Sequence, residues 1–244
     1  MGKIIPLSEG AFTVDKTKVF VPFDLQKDAI GQRPAGSLLV EIQPFVVITA
    51  NDILLFDTGL GFKNSEGLLQ IHSNLLNHGI NPGDVTKVLL SHLHKDHAGG
   101  LTGDNHELSF PGADYYVNKD EFKFAFEKGS PSYDTSDLTI LKNSDRLKLT
   151  EGNGSIDGYI QYEVTGAHSP FHQVFHVKEE GKHIFFGGDV APQLQQMKTK
   201  YRAKYDYDGK KSMDLRKEWW ELGKEEKWTF LFYHDIKCPI YEYG

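Results

Sequence analysis

Residues 91–97 read Ser-His-Leu-His-Lys-Asp-His, a run that places three of the chain's 11 histidines beside an aspartate. His92 and His94 are two residues apart, so on extended backbone their imidazoles project to the same side and can converge on one metal ion. Asp96 and His97 add an oxygen and a nitrogen, which a tight turn would aim at a second position close to the first. Mixed imidazole and carboxylate ligands indicate a metal site, and a group of solvated loop histidines is the alternative.

The residues on either side of this run place it at the end of a strand. Val88-Leu89-Leu90 is a short apolar run of the kind found in buried strands, and Ala98-Gly99-Gly100 allows a helix to begin close against it. Open α/β sheets bind their ligands at the carboxyl ends of strands. The sequence therefore predicts a ligand site at the carboxyl edge of a sheet.

Three more candidate ligands follow predicted strands later in the chain. His168 comes after the strand at 160–165, Asp189 after the strand at 183–186, and His234 after the strand at 228–233. An isolated aspartate at a strand end is often a turn former, and a lone histidine is often a packing residue. The shared position of the three, together with the 91–97 run, favours a common site.

The remaining pattern predicts alternating strands and helices. A β-hairpin is expected from 40–50 and 53–56, a helix over 65–78, a strand over 110–117 and a helix over 119–128. The polar segment 129–146 is predicted to be a loop or flap. Further strands are expected at 160–165, 173–177, 183–186 and 228–233, and a helix at 212–223.

Composition limits the class of protein. The 244 residues are predicted to form one domain, 1–244, and 39% hydrophobic residues can supply a core. A net charge of −7 without a basic block argues against nucleic acid as a partner and leaves a small-molecule substrate. The single cysteine, Cys238, excludes an internal disulfide. No stretch of about 18 apolar residues and no signal-peptide pattern is found, so no membrane partner and a cytoplasmic location are expected.

The series Asp57-Thr58-Gly59, His92-x-His94-x-Asp96-His97, His168, Asp189 and His234 resembles the metallo-β-lactamase superfamily of metal-dependent hydrolases. The resemblance runs from about residue 38 to 235, and it implies an α/β class, four-layer αββα sandwich. It implies two divalent metal ions, zinc first and manganese, iron or cobalt as alternatives. One ion would be held by His92, His94 and His168, the other by Asp96, His97 and His234, with Asp189 bridging both.

The same resemblance implies a reaction. Two ions sharing a water would make a bridging hydroxide available at neutral pH, and Asp96 would pass a proton to the leaving group. Asp57 matches a residue that orients a ligand histidine, and His172 matches a histidine common behind the family's ligands. A metal-binding protein without catalytic activity is the alternative of another class.

Within the superfamily the chain resembles the acyl-homoserine lactone lactonases, with the related organophosphate hydrolases as the alternative. The best-known lactonases carry a tyrosine three residues after the bridging aspartate, where this chain has Pro192. Tyr201 and Tyr205 are the candidates to reach the substrate in its place. The segment 119–146 is a candidate lid or homodimer contact, and seven aromatic residues are candidates for a substrate wall: Phe20, Phe23, Phe122, Phe124, Phe126, Tyr133 and Tyr201.

Overall fold

The computed structural model describes residues 2–103 and 106–243, and these form mainly short strands and helices. The strands are β1 (Ile4–Pro6), β2 (Gly10–Val14), β3 (Phe20–Pro22), β4 (Leu38–Ile42), β5 (Phe45–Ile48), β6 (Ile53–Phe56), β7 (Lys87–Leu89), β8 (Asp114–Asn118), β9 (Leu147–Thr150), β10 (Gly154–Ile156), β11 (Ile160–Val164), β12 (Gln173–Glu179), β13 (Lys182–Phe186), β14 (Thr229–Leu231) and β15 (Ile240–Glu242). The α-helices are α1 (Gln70–Asn77), α2 (Lys95–Ala98), α3 (Lys119–Lys128), α4 (Thr135–Lys142), α5 (Leu194–Met197) and α6 (Gly209–Glu225).

The strands assemble into two six-stranded mixed sheets and one small sheet. The first has the order β1-β5-β6-β7-β8-β9 and the second the order β10-β11-β12-β13-β14-β15, while β3-β2-β4 form the third. Strands β6, β7, β8 and β9 run parallel, as do β13 and β14. The carboxyl ends of these parallel strands are the edges to which the candidate ligands are attached.

Three apolar clusters define the layers. The central cluster lies between the two large sheets, where Phe45 and Phe56 of the first sheet meet Phe175 and Phe186 of the second. A second cluster packs α1, α3 and α4 on the outer face of the first sheet, and a third packs Trp219 of α6 on the outer face of the second. Helices thus cover both outer faces, which confirms the predicted αββα sandwich.

The predicted hairpin over 40–50 and 53–56 is partly wrong. Its first half divides at Pro44, which has no backbone N–H to contribute to a strand ladder. Strand β4 before the break pairs with β2 in the small sheet, and β5 after it pairs with β1 and β6 in the first large sheet. Residues of the small sheet line a pocket at the carboxyl edge, namely Val14, Phe20, Leu38 and Val40.

Two helix predictions also need correction. The helix predicted over 65–78 begins only at Gln70, because the Asn64 side chain accepts hydrogen bonds from the Glu66 and Leu68 N–H groups and holds a turn there. The segment 129–146 is not all loop, since it contains α4, whose N-cap Asp134 accepts from the Ser136 N–H. Among the described residues, no helix is both long and apolar enough to cross a membrane.

Close backbone contact joins the loop after β6 to the residues after α2. The Thr58 N–H donates to the His97 carbonyl over 2.7 Å, and the Gly99 N–H donates to the Gly59 carbonyl over 2.9 Å. A Cβ atom on Gly100 would lie 2.1 Å from the Thr58 carbonyl oxygen, a distance that no side chain can occupy. The glycines after His97 therefore allow two loops of the site to touch.

We expect Gly100→Ala to lower the free energy of unfolding by about 3 kcal/mol, because the two backbones must separate to admit the methyl group. Chemical denaturation of the purified variant measures this. Gly83→Ala is the matched control, since nothing lies within 4 Å of the Cβ position of Gly83. Equal losses in the two variants would show that the close contact is not what requires glycine at 100.

Candidate metal centre

The structure brings all seven predicted ligand side chains to one place. They form two groups in which one ligand atom from each residue lies within 4.8 Å of the others. The first group contains His92, His94, His168 and Asp189, and the second contains Asp96, His97 and His234. The segments that follow β7, β11, β13 and β14 carry these side chains, so both large sheets contribute to the site.

Three of the four members of the first group are imidazoles, and these face a common point. His92 Nε2 lies 2.9 Å from His94 Nδ1, and His168 Nε2 lies 3.2 Å from the same atom. His92 and His168 are buried, and His94 opens onto a pocket. Three nitrogens from separate positions in the chain therefore crowd together inside the protein.

The hydrogen bonds made by Nδ1 of His92 and of His168 determine the state of the Nε2 atoms that face the centre. His168 Nδ1 lies 2.9 Å from Asp206 Oδ1, and a carboxylate only accepts, so Nδ1 carries the proton. Ser91 Oγ donates to Asp57 Oδ2 over 2.8 Å and accepts from His92 Nδ1 over 3.1 Å. When these imidazoles are neutral, as metal binding requires, their lone pairs lie on the Nε2 atoms, which face the centre.

The second group is organised in the same way. His97 Nδ1 donates to Asp57 Oδ2 over 2.7 Å, and His234 Nδ1 donates to the Glu41 carbonyl over 2.6 Å. Their Nε2 atoms face Asp96 Oδ2 at 3.7 and 3.6 Å, respectively. The Tyr233 ring stacks on His97 with centroids 4.1 Å apart and limits the ways in which that imidazole can turn.

Asp189 lies between the two groups. Its Oδ2 is 3.1 Å from His168 Nε2, while its Oδ1 is 3.1 Å from His97 Nε2 and 2.9 Å from His234 Nε2. Each carboxylate oxygen thus faces a different group. The Asp189 backbone N–H donates to His172 Nε2 over 3.2 Å, which places His172 behind Asp189 and directs its lone pair away from the centre.

These atoms fit divalent metal ions. His97 Nε2 and Asp189 Oδ1 are buried without a hydrogen bond to any described residue, although they lie 3.1 Å apart. Burial lowers the pKa of His92, His94 and His172, and neighbouring imidazoles add to that effect, so the three rings are neutral. Neutrality is what metal binding requires of His92 and His94. Burial opposes protonation of His97, but the carboxylates of Asp189, Asp96 and Asp57 outweigh it and raise the pKa of His97 well above its ordinary range. Part of the centre therefore attracts positive charge.

The two candidate tyrosines occupy different places. Tyr205 lines the small inner pocket together with His94, Asp96, Asp189 and His234, and its ring lies 6.0 Å from that of His168. Burial raises the pKa of the Tyr205 hydroxyl, and the nearby Asp189 carboxylate raises it further. Tyr201 lines only the two outer cavities and not the inner pocket, although its exposed fraction of 39% is close to the 38% of Tyr205.

The aromatic wall predicted from the sequence is only partly correct. Phe20 lines the inner pocket, and Phe124, Tyr133 and Tyr201 line a larger cavity outside it. Phe122 is instead buried in the core of the first sheet, where Phe126 packs against its ring. Neither Phe122 nor Phe126 nor Phe23 lines these cavities. Of the three phenylalanines in α3, only Phe124 therefore faces the cavity.

Sequence reasoning missed two carboxylates that hold the site together. Asp206 accepts from His168, and its place in the run Tyr205-Asp206-Tyr207-Asp208 after Asp189 is the one signal that pointed to it. Glu121, fully buried in α3, accepts from the Leu93 N–H at 3.2 Å and from the Ser169 hydroxyl at 2.7 Å. Glu121 therefore joins the loop of His92 and His94 to the loop of His168.

A third buried carboxylate, Glu9, supports the loop of Asp57. Glu9 Oε2 accepts from the Leu60 N–H over 2.7 Å, and its carboxyl group occupies the position that a Cβ atom on Gly59 would need. Burial raises the pKa of Glu9 from 4.5 to about 8, although the hydrogen bond from Leu60 opposes the shift. The protonated form is therefore the one that the fold accommodates.

This shift predicts a pH dependence of stability. Because the pKa of Glu9 is higher in the folded state, its stabilising contribution is complete below pH 4.5 and is lost as the pH rises through 8. We expect Glu9→Gln, which keeps an acceptor for Leu60, to be the more stable protein at pH 9 and nearly equal to wild type at pH 5. Urea denaturation at both values measures this, with the exposed Glu66→Gln as control. A difference that does not grow with pH would contradict the assignment.

The sequence matches the metallo-beta-lactamase superfamily over residues 41–234. The N-acyl homoserine lactonase AttM of Azorhizobium caulinodans is 33% identical over 112 residues, which cover 41% of this chain but only 38% of that protein. The N-acyl homoserine lactonase of Bacillus thuringiensis is 25% identical over 228 residues, 84% of this chain and 85% of that one. These relatives confirm the predicted resemblance to the lactonase branch.

A solved structure gives the same fold. A probable metal-dependent hydrolase from Staphylococcus aureus superposes with a TM-score of 0.81 at 23% identity, covering 99% of this chain and 92% of that one. The family match spans most of the chain and includes every predicted ligand, from His92 to His234. The chain therefore belongs to the metallo-beta-lactamase superfamily.

Proposed function

We propose that this chain is a metal-dependent hydrolase of lactones and carboxylic esters that uses two divalent ions, zinc first among them. His92, His94 and His168 would hold one ion, Asp96, His97 and His234 would hold the other, and Asp189 would serve as a ligand to both. The observation that carries the proposal is the Asp189 carboxylate, which directs one oxygen at each group of ligands. The named relatives, both N-acyl homoserine lactonases, support a lactone as substrate.

Two ions bound there would lower the pKa of a shared water towards about 7 and polarise the carbonyl of the substrate. The residues of the chain supply the rest. Asp96 lines the inner pocket and receives and returns a proton during the reaction, while Tyr205 presents its hydroxyl to the substrate oxygen. Asp57 and His172 hold His97 and Asp189 in place from behind.

The surroundings of the centre support ester chemistry. Val14, Leu38 and Val40 of the small sheet form an apolar side of the inner pocket, opposite the ligand side chains. An acyl carbon chain can lie against these residues while its carbonyl faces the ligands. The small sheet, which the sequence did not predict, therefore supplies part of the substrate wall.

Hydrolysis assays with defined metals test the proposal. The probes are N-hexanoyl-homoserine lactone, 4-nitrophenyl butyrate, diethyl 4-nitrophenyl phosphate and benzylpenicillin, each with protein loaded with zinc, manganese, cobalt or iron. We expect turnover of the lactone and the ester that disappears in chelator and returns with metal. Asp96→Asn should lose most of the turnover, with metal content measured in the same preparation. Hydrolysis of the phosphotriester alone would replace the lactone with the organophosphate assignment, and a protein that binds metal but hydrolyses none of the four probes would support the non-catalytic alternative.

A further inference from the structure

A larger cavity of about 1020 Å³ opens outward from the inner pocket. The two share a wall that includes Lys18, His94, His168 and Tyr205, so a molecule whose carbonyl lies at the ligands extends into the cavity. Pockets of this size hold most of a drug-sized molecule. The residues of the cavity therefore contact the part of the substrate that does not react.

The wall of the cavity is rich in positive charge. Five cationic side chains line it, and they come from three separate segments: Lys16, Lys18, Lys128, Arg202 and Lys204. The whole chain has 27 lysines and arginines against 34 aspartates and glutamates and carries a net charge of −7. The lining of the cavity thus carries a net positive charge, whereas the protein as a whole carries a net negative charge.

These five cations are not neutralised by the protein. None forms an ion pair within 4.0 Å across residues 2–103 and 106–243. The acidic residues in the same wall are Asp15 and Asp206. Asp206 is committed to His168, and Asp15 is bonded to Thr17 and offsets only part of the charge of its neighbour Lys16.

The cations also surround the space from two sides. Lys16 and Lys18 lie on the turn between β2 and β3, whereas Arg202 and Lys204 lie on the loop between α5 and α6. Lys18 is half-buried and is the member that also lines the inner pocket. An anion held between the two segments would reach cations of both while the rest of its molecule extends to the ligands.

We infer that the natural substrate of this site is an ester or lactone that carries a negatively charged group, such as a carboxylate, on the portion lying in the outer cavity. The inference rests on the proposed hydrolase and narrows its substrate class, because N-acyl homoserine lactones are neutral. A tenfold preference for the anionic substrate corresponds to about 1.4 kcal/mol of binding free energy. The field of the cavity would also steer anions towards the site.

The test compares two esters that differ only in charge. The probes are mono-4-nitrophenyl glutarate, which ends in a carboxylate, and its neutral methyl ester. In the metal-loaded protein we expect kcat/KM to be about tenfold higher for the carboxylate, and the advantage to shrink as salt is raised. The double variants Lys16→Met/Lys18→Met and Arg202→Met/Lys204→Met should each remove most of the advantage, measured as the ratio of kcat/KM for the two esters in the same variant. The exposed Lys224→Met, outside the cavity, should retain it.

Calorimetric binding separates this inference from the proposed function. Glutarate and monomethyl glutarate each offer one carboxylate to the centre, and only glutarate offers a second one to the cavity. Tighter binding of glutarate that both double variants abolish would support the anionic subsite, whether or not an ester is hydrolysed. Absence of ester hydrolysis would contradict only the proposed hydrolase. Equal binding of the two acids, together with equal kcat/KM for the two esters, would overturn the inference and leave the hydrolase standing.

Discussion

Asp189→Asn is expected to reduce hydrolysis on the order of a thousandfold or more while the fold is retained. The reason is that Asp189 directs Oδ2 at His168 and Oδ1 at His97 and His234, so one substitution alters both groups of ligands. The imidazoles of His234, His97 and His168 overcome the effect of burial and hold the pKa of Asp189 well below its ordinary range, so the residue is ionised. An amide of the same shape cannot supply that charge.

The measurement is kcat/KM together with metal content in the same preparation. Asp145→Asn is the matched control, because that carboxylate is exposed and far along the chain from every ligand. The variant should lose at least one equivalent of metal along with activity, and the control should lose neither. Wild-type activity in Asp189→Asn at full metal content would contradict the shared role of this carboxylate.

Removal of metal is expected to lower the melting temperature by roughly 10 °C. The centre buries imidazole nitrogens and carboxylate oxygens at distances of 2.9 to 3.2 Å without enough protons to satisfy them. A bound ion satisfies these atoms in the folded protein and finds no preformed site in the unfolded chain. Metal at a thousand times its dissociation constant contributes about 4 kcal/mol per site, which is a large share of the stability of a domain.

Differential scanning calorimetry of chelated and zinc-reloaded protein measures this effect. Asp189→Asn provides the matched comparison, since it should show a smaller difference between the two conditions than wild type. Chelation should leave the difference between Gly83→Ala and wild type unchanged, because Gly83 lies outside the ligand loops. The same melting temperature with chelator and with zinc would show that no ion is part of the folded protein.

The ligand set could be predicted from the sequence because each member follows a strand and because five of the seven are histidines. Parallel strands end at the same edge of a sheet, so Asp189 after β13 and His234 after β14 were expected to lie close together. Alternating apolar residues likewise indicated the strands that pack face to face in the central core. Local pattern therefore indicated a shared ligand site, whereas the four layers and the division of the seven side chains between two ions followed from the family resemblance.

Other parts of the site depend on contacts that no local pattern encodes. Asp206 reaches His168 from 38 positions away, and only the course of the loop between α5 and α6 brings it there. In the same loop, whose Tyr201 carbonyl accepts from Arg216 of α6, Tyr205 reaches the inner pocket and Tyr201 reaches only the outer cavities. Because the chain breaks at Pro44, β4 joins a separate sheet, and no local pattern indicated that Leu38 and Val40 would line the pocket.

The position of the cations around the cavity was equally hidden. Lys16 and Lys18 are nearly 190 residues away from Arg202 and Lys204 in the chain, and the overall charge of −7 masks their grouping. Only the folding of the small sheet towards the loop after α5 places them around one space. Charge patterning along a sequence does not report such a grouping, because the residues meet only in the tertiary structure.

The most direct test of the two-ion site is anomalous diffraction from crystals of zinc-loaded protein, recorded on both sides of the zinc absorption edge. We predict two anomalous peaks, one within coordination distance of His92 Nε2, His94 Nδ1 and His168 Nε2, the other of Asp96, His97 and His234, with Asp189 in contact with both. A single peak, or peaks away from these seven side chains, would contradict the account.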